Sequence, residues 1–315
     1  MPDLAFDKIV VVTRKTALEE LIERYNSEAQ ARFYIELLGD SFDGYASAHQ
    51  TFKQSLDTLN RSLPEVRCQW IDRSFLPNFL FGPKDLVLVV GQDGLVVNTA
   101  KYLDGQPLVA FNPDPTRIDG VLLPFSIQNC ESVLASVMAG RFEVDRLTMA
   151  RAALNNGQSI DALNDLFVGY ATHASARYRI SYGEHSENQS SSGIIITTGA
   201  GSTGWSRSIL TGSAAIIEAT ENTEPFRQAR ESYRFDYRAE SLAYYVREPF
   251  ISRASQATLV TGTIQAGQPL IVTSQMPSGG VIFSDGVEQD FLPFDSGTTA
   301  TISIAERKLN LVVKG

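Results

Sequence analysis

The six residues Asp85–Val90, with the sequence DLVLVV, form the clearest buried β-strand in the chain. Aliphatic side chains follow one another there without the polar alternation of a half-exposed strand. Such runs are typical of parallel sheets that are covered on both faces. Ile9–Thr13 and Leu108–Phe111 have the same texture. The first part of the chain is therefore predicted to fold around a parallel sheet.

Helical patterns separate these predicted strands. Thr16 and Glu19 have the spacing of a capping box, and apolar residues recur after them at helical intervals. The other predicted elements of this part are helices at Gln50–Leu63 and Leu95–Leu103 and a strand at Glu65–Ile71. The alternation of strands and helices predicts a Rossmann-like α/β domain over residues 1–125.

Residues 126–315 have a different texture, because short apolar runs are separated there by Gly, Ser, Asn and Pro. This spacing predicts a β-rich, sandwich-like second domain, with the last residues able to pack back on the first domain. The charged and aromatic segment Glu221–Ser241 is expected to be an excursion between strands. The predicted strands are Leu163–Gly169, Ala176–Gly183, Gly193–Thr198, Thr258–Thr263, Pro269–Thr273, Gly280–Ser284 and Ala300–Ala305.

The composition narrows the classes of partner. The chain has 315 residues and a net charge of −9, which argues against nucleic acid or an anionic membrane as a partner, because clustered Lys and Arg bind both.

Cys68 and Cys130 lie too far apart in the sequence to indicate a disulfide framework or a metal site. The first apolar run, Ile9–Val12, is too short for a signal or membrane segment. We expect a cytoplasmic protein that has no metal ligands of its own.

A glycine-rich loop, Gly199–Gly204, follows the apolar run Ile194–Thr198. Its letters, GAGSTG, fit a dinucleotide-binding fingerprint, which needs another buried strand after the helix that follows the loop. The segment Glu224–Glu231 is too charged for that strand. The letters around Ser202 also resemble a serine-hydrolase elbow, which needs a doubly wound sheet and a partner histidine. Neither interpretation fits the rest of the chain.

A second glycine loop, Gly91-Gln92-Asp93-Gly94, follows the strand Asp85–Val90. Glycines let a phosphate or a sugar approach the backbone, while the single carboxylate of Asp93 faces it. Such a carboxylate can accept a proton from a hydroxyl during phosphoryl transfer. A tight turn in which Asp93 caps the following helix explains the same four residues equally well.

Taken together, the motifs resemble the NAD kinase family. Gly91–Gly94 is similar to its GGDG loop, Asn164-Asp165 to its Asn-Glu/Asp motif, and Thr198–Ser206 to its second glycine signature, in the family's order. Phe283–Gly286 is similar to its late Asp-Gly turn. Segments that resemble the mitochondrial-type branch are Val11–Thr16, Phe111–Arg117, Ser191–Gly193, Trp205 and Arg247–Pro249.

The resemblance implies transfer of the γ-phosphoryl group of ATP, with Mg²⁺, to the 2′-hydroxyl of the adenosine ribose of NAD(H), in a protein that forms homodimers. It implies that Asp93 is the general base and also contacts NAD. The other positions that it implies for NAD binding are Gly94, Asn164, Asp165, Thr203, Gly204, Trp205 and Ser206. The nucleotide and phosphate loops would contain Gly91, Gln92, Gly199, Gly201 and Ser202.

Several alternatives stay open from the residues alone. Asn164 and Asp165 could instead close a turn by Asx hydrogen bonding, and Trp205 could anchor a helix rather than stack on a ligand. A lipid kinase of the wider superfamily would share the loop of Asp93. Gln92 and Leu95 replace the second glycine and the threonine of the family loop. If these replacements weaken catalysis, the protein could instead be a regulator that binds a nucleotide.

Overall fold

The computed structural model describes residues 6–220 and 234–314, and the chain folds into two compact units. The first unit contains Met1–Asp145 and Asn310–Gly315, and the second contains Arg146–Leu309. This division differs from the predicted boundary at residue 125. The reason is a helix at Cys130–Met138, whose residues Cys130, Leu134 and Val137 belong to the core of the first unit.

The helices and strands are numbered in chain order. The helices are α1 (Ala17–Tyr25), α2 (Glu28–Leu37), α3 (Phe42–Ser62), α4 (Asp93–Ala100), α5 (Cys130–Met138) and α6 (Trp205–Thr220). The strands are β1 (Lys8–Thr13), β2 (Cys68–Asp72), β3 (Asp85–Val90), β4 (Pro107–Asn112), β5 (Phe125–Ser126), β6 (Glu143–Leu147), β7 (Ala150–Leu154), β8 (Ser159–Ala162), β9 (Asp165–Tyr170), β10 (Ala176–Tyr182), β11 (His185–Ser191), β12 (Ile194–Thr197), β13 (Ser241–Val246), β14 (Thr261–Gln265), β15 (Leu270–Ser274), β16 (Gly280–Ser284), β17 (Val287–Pro293), β18 (Thr299–Ile304) and β19 (Leu309–Val313).

The first unit is built on a seven-stranded sheet with the order β2-β1-β3-β4-β19-β6, in which β5 pairs with β4. The pairs β1/β2, β1/β3, β3/β4 and β4/β19 are parallel. Every residue of β3 is buried, and Leu86, Leu88 and Val90 pack in one cluster with Leu59 of α3 and Leu134 of α5. The predicted parallel sheet with both faces covered is therefore confirmed.

The capping box before α1 is present. The hydroxyl of Thr16 accepts the backbone N–H of Glu19, and the carboxylate of Glu19 accepts the backbone N–H of Thr16 at 2.8 Å. The sequence pattern does not predict α2, because its side chains Phe33 and Leu37 are 61% and 66% exposed and its apolar residues are not confined to one face. The predicted start of α3, at Gln50, is also too late, since the helix begins at Phe42.

The second unit contains two six-stranded antiparallel sheets, as the β-rich texture predicts. Their orders are β11-β10-β15-β18-β7-β8 and β14-β13-β12-β9-β16-β17. One apolar core joins residues of both sheets, including Tyr178 and Ile302 of the first and Val168 and Tyr244 of the second. This is the arrangement of a β-sandwich. Residues 221–233 of the predicted excursion lie outside the described residues.

Across the parts of the chain that the structure describes, no helix combines the length and the apolar character that crossing a membrane requires.

Candidate active site

The Gly91–Gly94 loop joins β3 to α4. Gln92, rather than Asp93, is the N-cap residue of α4, and its side chain makes no capping hydrogen bond. Asp93 is the first residue of the helix, and its Oδ1 accepts the backbone N–H of Leu122 at 2.6 Å. The alternative in which Asp93 caps the helix is therefore wrong. Its carboxylate instead holds the turn that leads from β4 toward β5.

Leu95, which replaces the threonine of the family loop, faces inward. Its side chain is 1% exposed, and a Cβ added to Gly91 would lie 2.9 Å from its Cδ2. A Cβ added to Gly94 would meet no atom within 4 Å. The loop therefore packs against apolar side chains at Gly91 and is open at Gly94.

A cavity of about 510 Å³ lies in the first unit beside Gly91 and Gln92. Its walls come from residues that follow β1, β3 and β4 and from α3 with the segment before it. The carboxyl ends of parallel strands are where ligands of such sheets bind, and the volume is that of a small-molecule site. The cavity is thus large enough for a nucleotide-sized ligand.

The walls of this cavity carry two arginines, Arg14 and Arg117, for which the sequence predicts no role in a site. Arg117 donates to the carboxylate of Asp114 at 3.3 Å and to the hydroxyl of Ser47 at 2.8 Å. Hydrogen bonds from Thr116 and the charge of Arg117 hold the pKa of Asp114 below its usual range. Half-buried Arg14 contacts only a backbone carbonyl, at 3.5 Å, and has no ion pair within residues 6–220 and 234–314. An unpaired guanidinium in a cavity favours an anionic ligand.

The second glycine loop follows β12 in an antiparallel environment. β12 lies between β9 and β13, and both pairings are antiparallel. A dinucleotide-binding βαβ unit needs parallel strands, so the fingerprint letters at Gly199–Gly204 do not form one. Ser202 is 1% exposed, and its hydroxyl donates to the carbonyl of Gly199 at 2.7 Å. It is therefore not placed as the exposed nucleophile of a hydrolase.

The glycines of this loop are required by close backbone packing. A Cβ at Gly199 would lie 2.2 Å from the carbonyl oxygen of Asp236, and one at Gly201 would lie 2.3 Å from that of Asn164. Backbone atoms cannot move aside as the end of a side chain can. This packing explains both glycines without a ligand, and their contact with a nucleotide stays a prediction.

Replacing Gly199 or Gly201 with alanine is expected to lower the free energy of unfolding by about 1 to 3 kcal/mol, because the added methyl group overlaps backbone. Urea titration followed by circular dichroism measures the change. Gly212→Ala in α6 is the matched control, since its Cβ would meet no atom within 4 Å. An equal stability for all three variants would contradict the packing argument.

The Asn164-Asp165 motif lies at the start of β9. The carboxylate of Asp285 accepts the backbone N–H groups of Leu163, Asn164 and Asp165 at 3.1, 2.8 and 3.2 Å. In the described residues, the buried side-chain atoms without a hydrogen-bond partner include Asn164 Oδ1, Asp165 Oδ1 and Ser206 Oγ, together with Asn98 Oδ1, Glu218 Oε1 and Ser284 Oγ elsewhere in the chain. Burial, together with the neighbouring charge of Asp285, raises the pKa of Asp165 to about 7. The Asx-turn alternative does not explain these unpartnered oxygens, because an Asx turn would use them.

Trp205 begins α6 and packs on Phe167, with ring centroids 5.8 Å apart and an interplanar angle of 7°. The guanidinium of Arg247 lies 5.4 Å from its ring. The Phe167 ring in turn crosses Gly169 and Gly193, where a Cβ would come within 2.7 Å or less of it. These contacts favour the anchoring role of Trp205, and stacking on a ligand stays a prediction.

Within the described part of the chain, no group of three or more His, Cys, Asp and Glu side chains is arranged to hold a metal ion. Cys68 and Cys130 are free thiols.

Comparison with known proteins gives sequence relatives. No protein-family model matches the sequence. The rat protein described as mitochondrial NAD kinase 2 is 25% identical, in a match that covers 78% of this chain and 72% of the rat protein. The human protein of the same description is 26% identical, in a match that covers 78% of this chain and 69% of the human protein. These two relatives support the resemblance to the NAD kinase family.

Solved structures of NAD kinases share this fold. The NAD kinase from Archaeoglobus fulgidus, solved in complex with ATP, has a TM-score of 0.57 and 17% identity, covering 96% of this chain and 92% of its own. Yeast NADH kinase, solved with NADH, has a TM-score of 0.57 and 14% identity, covering 100% of this chain and 88% of its own. The predicted fold class, a parallel-sheet domain followed by a β-rich domain, is confirmed.

The family motifs are divided between the two units. The Asp93 loop is in the first unit, and the Asn164-Asp165 motif, the second glycine loop and the Asp285 turn are in the second. Hydrogen bonds within the second unit join three of these segments, because the backbone N–H of Thr198 donates to the carbonyl of Asn164 at 2.9 Å and Asp285 accepts from Asn164. This part of the NAD kinase signature is therefore one connected cluster.

Proposed function

We propose that this protein is an NAD kinase, which transfers the γ-phosphoryl group of ATP to the 2′-hydroxyl of the adenosine ribose of NAD(H) and forms NADP(H) and ADP. The binding site of the phosphoryl acceptor, NAD(H), is inferred from the buried oxygens of Asn164, Asp165 and Ser206 that have no hydrogen-bond partner. Buried polar atoms without partners are costly, and a ribose diol offers both donors and acceptors. The rat and human relatives described as NAD kinases support the same activity.

In the proposed reaction, Asp93 accepts the proton of the 2′-hydroxyl as that oxygen attacks the γ-phosphorus, and ADP leaves. Asn164 and Asp165 hold ribose hydroxyl groups. Thr203, Gly204, Trp205 and Ser206 line the adenosine pocket, with Gly94 beside Asp93. The remaining loop residues, at which the backbone approaches phosphate or nucleotide, are Gly91, Gln92, Gly199, Gly201 and Ser202.

We assign the phosphoryl donor to the 510 Å³ cavity of the first unit. Arg14 and Arg117 supply guanidinium groups for phosphate oxygens. Asp40 and Asp114 also face the cavity, and carboxylate oxygens suit Mg²⁺, which is usually held by one or two carboxylates together with the nucleotide's phosphates. When bound, Mg²⁺ neutralises charge on the phosphates.

Replacing Arg14 with glutamine is expected to raise the KM for ATP about tenfold, because one charge-assisted contact to phosphate is lost. The KM for NAD is expected to change less than twofold. Initial rates at varied ATP concentration measure the effect. Arg24→Gln, which removes an exposed arginine of α1 outside the cavity, is the control. Equal KM values for both variants would place the donor elsewhere.

One assay tests the activity itself. Purified protein is incubated with ATP, Mg²⁺ and either NAD or NADH, and NADP(H) is measured by a coupled dehydrogenase. Formation of NADP(H) supports the proposal. Measurable NAD affinity without product would indicate the nucleotide-binding regulator, and activity only on diacylglycerol or sphingosine vesicles would indicate a lipid kinase.

Two further proposals concern the assembly and the compartment. A homodimer is expected from the family resemblance, and sedimentation equilibrium tests it. A reducing compartment such as the cytoplasm suits the two free thiols Cys68 and Cys130. The rat and human relatives are described as mitochondrial, so imaging of the tagged protein must distinguish the two locations.

A further inference from the structure

The turn between β16 and β17 places an acidic side chain beside the Asn164-Asp165 motif. The loop has two residues, Asp285 and Gly286, with φ values of 55° and 69°. Asp-Gly is one of the pairs, with Asn-Gly and Gly-Gly, that a two-residue hairpin with positive φ at both positions prefers. Asparagine or glycine at position 285 would serve the hairpin equally well, so the turn alone does not require an acid.

The carboxylate of Asp285 has a second role, because three backbone donors converge on it. Its Oδ1 accepts the N–H groups of Asn164 at 2.8 Å and Asp165 at 3.2 Å, and its Oδ2 accepts that of Leu163 at 3.1 Å. The backbone N–H of Asp285 donates back to the carbonyl of Asp165 at 2.9 Å. A carboxylate can accept these three N–H groups because both of its oxygens are acceptors. Hydrogen bonds to a charged acceptor are also stronger than those to a neutral one.

The same contact affects the side chains of the motif. The backbone of residues 163–165 determines where the Asn164 and Asp165 side chains project, and the buried Oδ1 atom of each lacks a protein partner. The negative charge of Asp285 adds to burial in raising the pKa of Asp165. The two carboxyl groups therefore interact electrostatically.

We propose that Asp285 is a positioning residue for the acceptor substrate: its carboxylate fixes the backbone of residues 163–165 so that Asn164 and Asp165 present their oxygens to the ribose of the dinucleotide. This inference rests on the proposed function for the identity of the ligand. The hydrogen bonds that it invokes are internal to the second unit and do not depend on that identity.

Asp285→Asn tests the proposal, because asparagine tolerates positive φ and preserves the hairpin. Its amide group can accept on one side only, so at least one of the three N–H groups loses its partner. We expect faster amide hydrogen exchange in peptides that cover residues 163–165. The dissociation constant for NAD is expected to rise ten- to a hundredfold, and in the activity assay the KM for NAD rises by a similar factor while kcat changes less than threefold.

Glu288→Gln is the matched control, since it neutralises an exposed acid of the same hairpin. Exchange at residues 163–165 or NAD affinity equal to that of the control would overturn the positioning role, even where Asp285→Asn lowers the melting temperature. Catalysis by the unmodified protein is measured separately. If the unmodified protein binds NAD but forms no NADP, the proposed function fails, while the NAD affinities of Asp285→Asn and Glu288→Gln still decide the role of Asp285. If it binds no NAD, both proposals fail.

Discussion

Replacing Asp93 with asparagine is expected to lower kcat for NADP formation by a factor of about 10² to 10⁴, the usual contribution of a general base. The amide of asparagine cannot take the proton of the 2′-hydroxyl. The melting temperature is expected to change little. The reason is that the Oδ1 of asparagine can still accept the N–H of Leu122, which the structure places 2.6 Å from the carboxylate of Asp93.

The control for this experiment is Asp119→Asn, an exposed acid close to the turn that Asp93 holds. Asp93→Ala adds a structural comparison, since alanine removes the acceptor for Leu122 as well as the base. We expect this variant to lose both activity and melting temperature. An Asp93→Asn enzyme with more than a tenth of the normal kcat would remove Asp93 from the role of base and leave only its contact with Leu122.

Much of the fold follows from local sequence signals. β3 is buried along its whole length, so its uninterrupted aliphatic run predicts both the strand and the cover on its two faces. The sequence does not predict α2, because the exposed side chains of Phe33 and Leu37 extend its apolar surface beyond one face of the helix. The unit boundary escapes it as well, since α5 joins the first core through tertiary contacts that no local pattern records.

Some residues of the candidate site can likewise be predicted from the sequence, and others cannot. The resemblance to the NAD kinase family implies roles for Asp93, Asn164 and Asp165, because each lies in a short segment that is similar to a family motif. No site role is predicted for Arg14 and Arg117, since they are far apart in the sequence and only the fold places both in the wall of one cavity. The signal that could have found them is their position in the segments that follow β1 and β4, where ligands of a parallel sheet bind.

The glycines of the second loop show the limit of motif letters. Their pattern suggests access for a ligand, whereas Gly199 and Gly201 are fixed by the backbone of Asp236 and Asn164. A glycine-rich motif therefore marks close approach without saying what approaches. The antiparallel neighbours of β12 settle the related question of the dinucleotide fingerprint, and strand direction cannot be obtained from the loop letters.

Asp165→Asn is expected to stabilise the ligand-free protein above neutral pH while weakening NAD binding. Burial, with the charge of Asp285, raises the pKa of Asp165 from 3.8 to about 7, so ionising this carboxyl group in the folded protein is costly. At 1.36 kcal/mol per pKa unit, the shift corresponds to about 4 kcal/mol of unfolding free energy. Asparagine carries no charge at any pH in this range and avoids that cost.

The sign of the pH dependence follows from proton linkage. Because the folded protein binds the Asp165 proton more tightly than the unfolded chain does, this group's contribution to stability is complete below about pH 4. It is lost as the pH rises to 7 and stays lost above it. The stability difference between Asp165→Asn and the unmodified protein should therefore grow between pH 4 and pH 7 and then level off.

Urea unfolding at a series of pH values measures this difference, with Glu288→Gln as an exposed acid of the same unit that should show no such trend. A difference that is flat from pH 4 to pH 8 would mean that Asp165 is not held in a charge-disfavouring site. The same variant is expected to bind NAD at least tenfold more weakly, since asparagine replaces one carboxylate oxygen with an NH₂ group that cannot accept from a ribose hydroxyl. Gain in stability with loss of affinity is the pattern of a buried acid kept for its ligand.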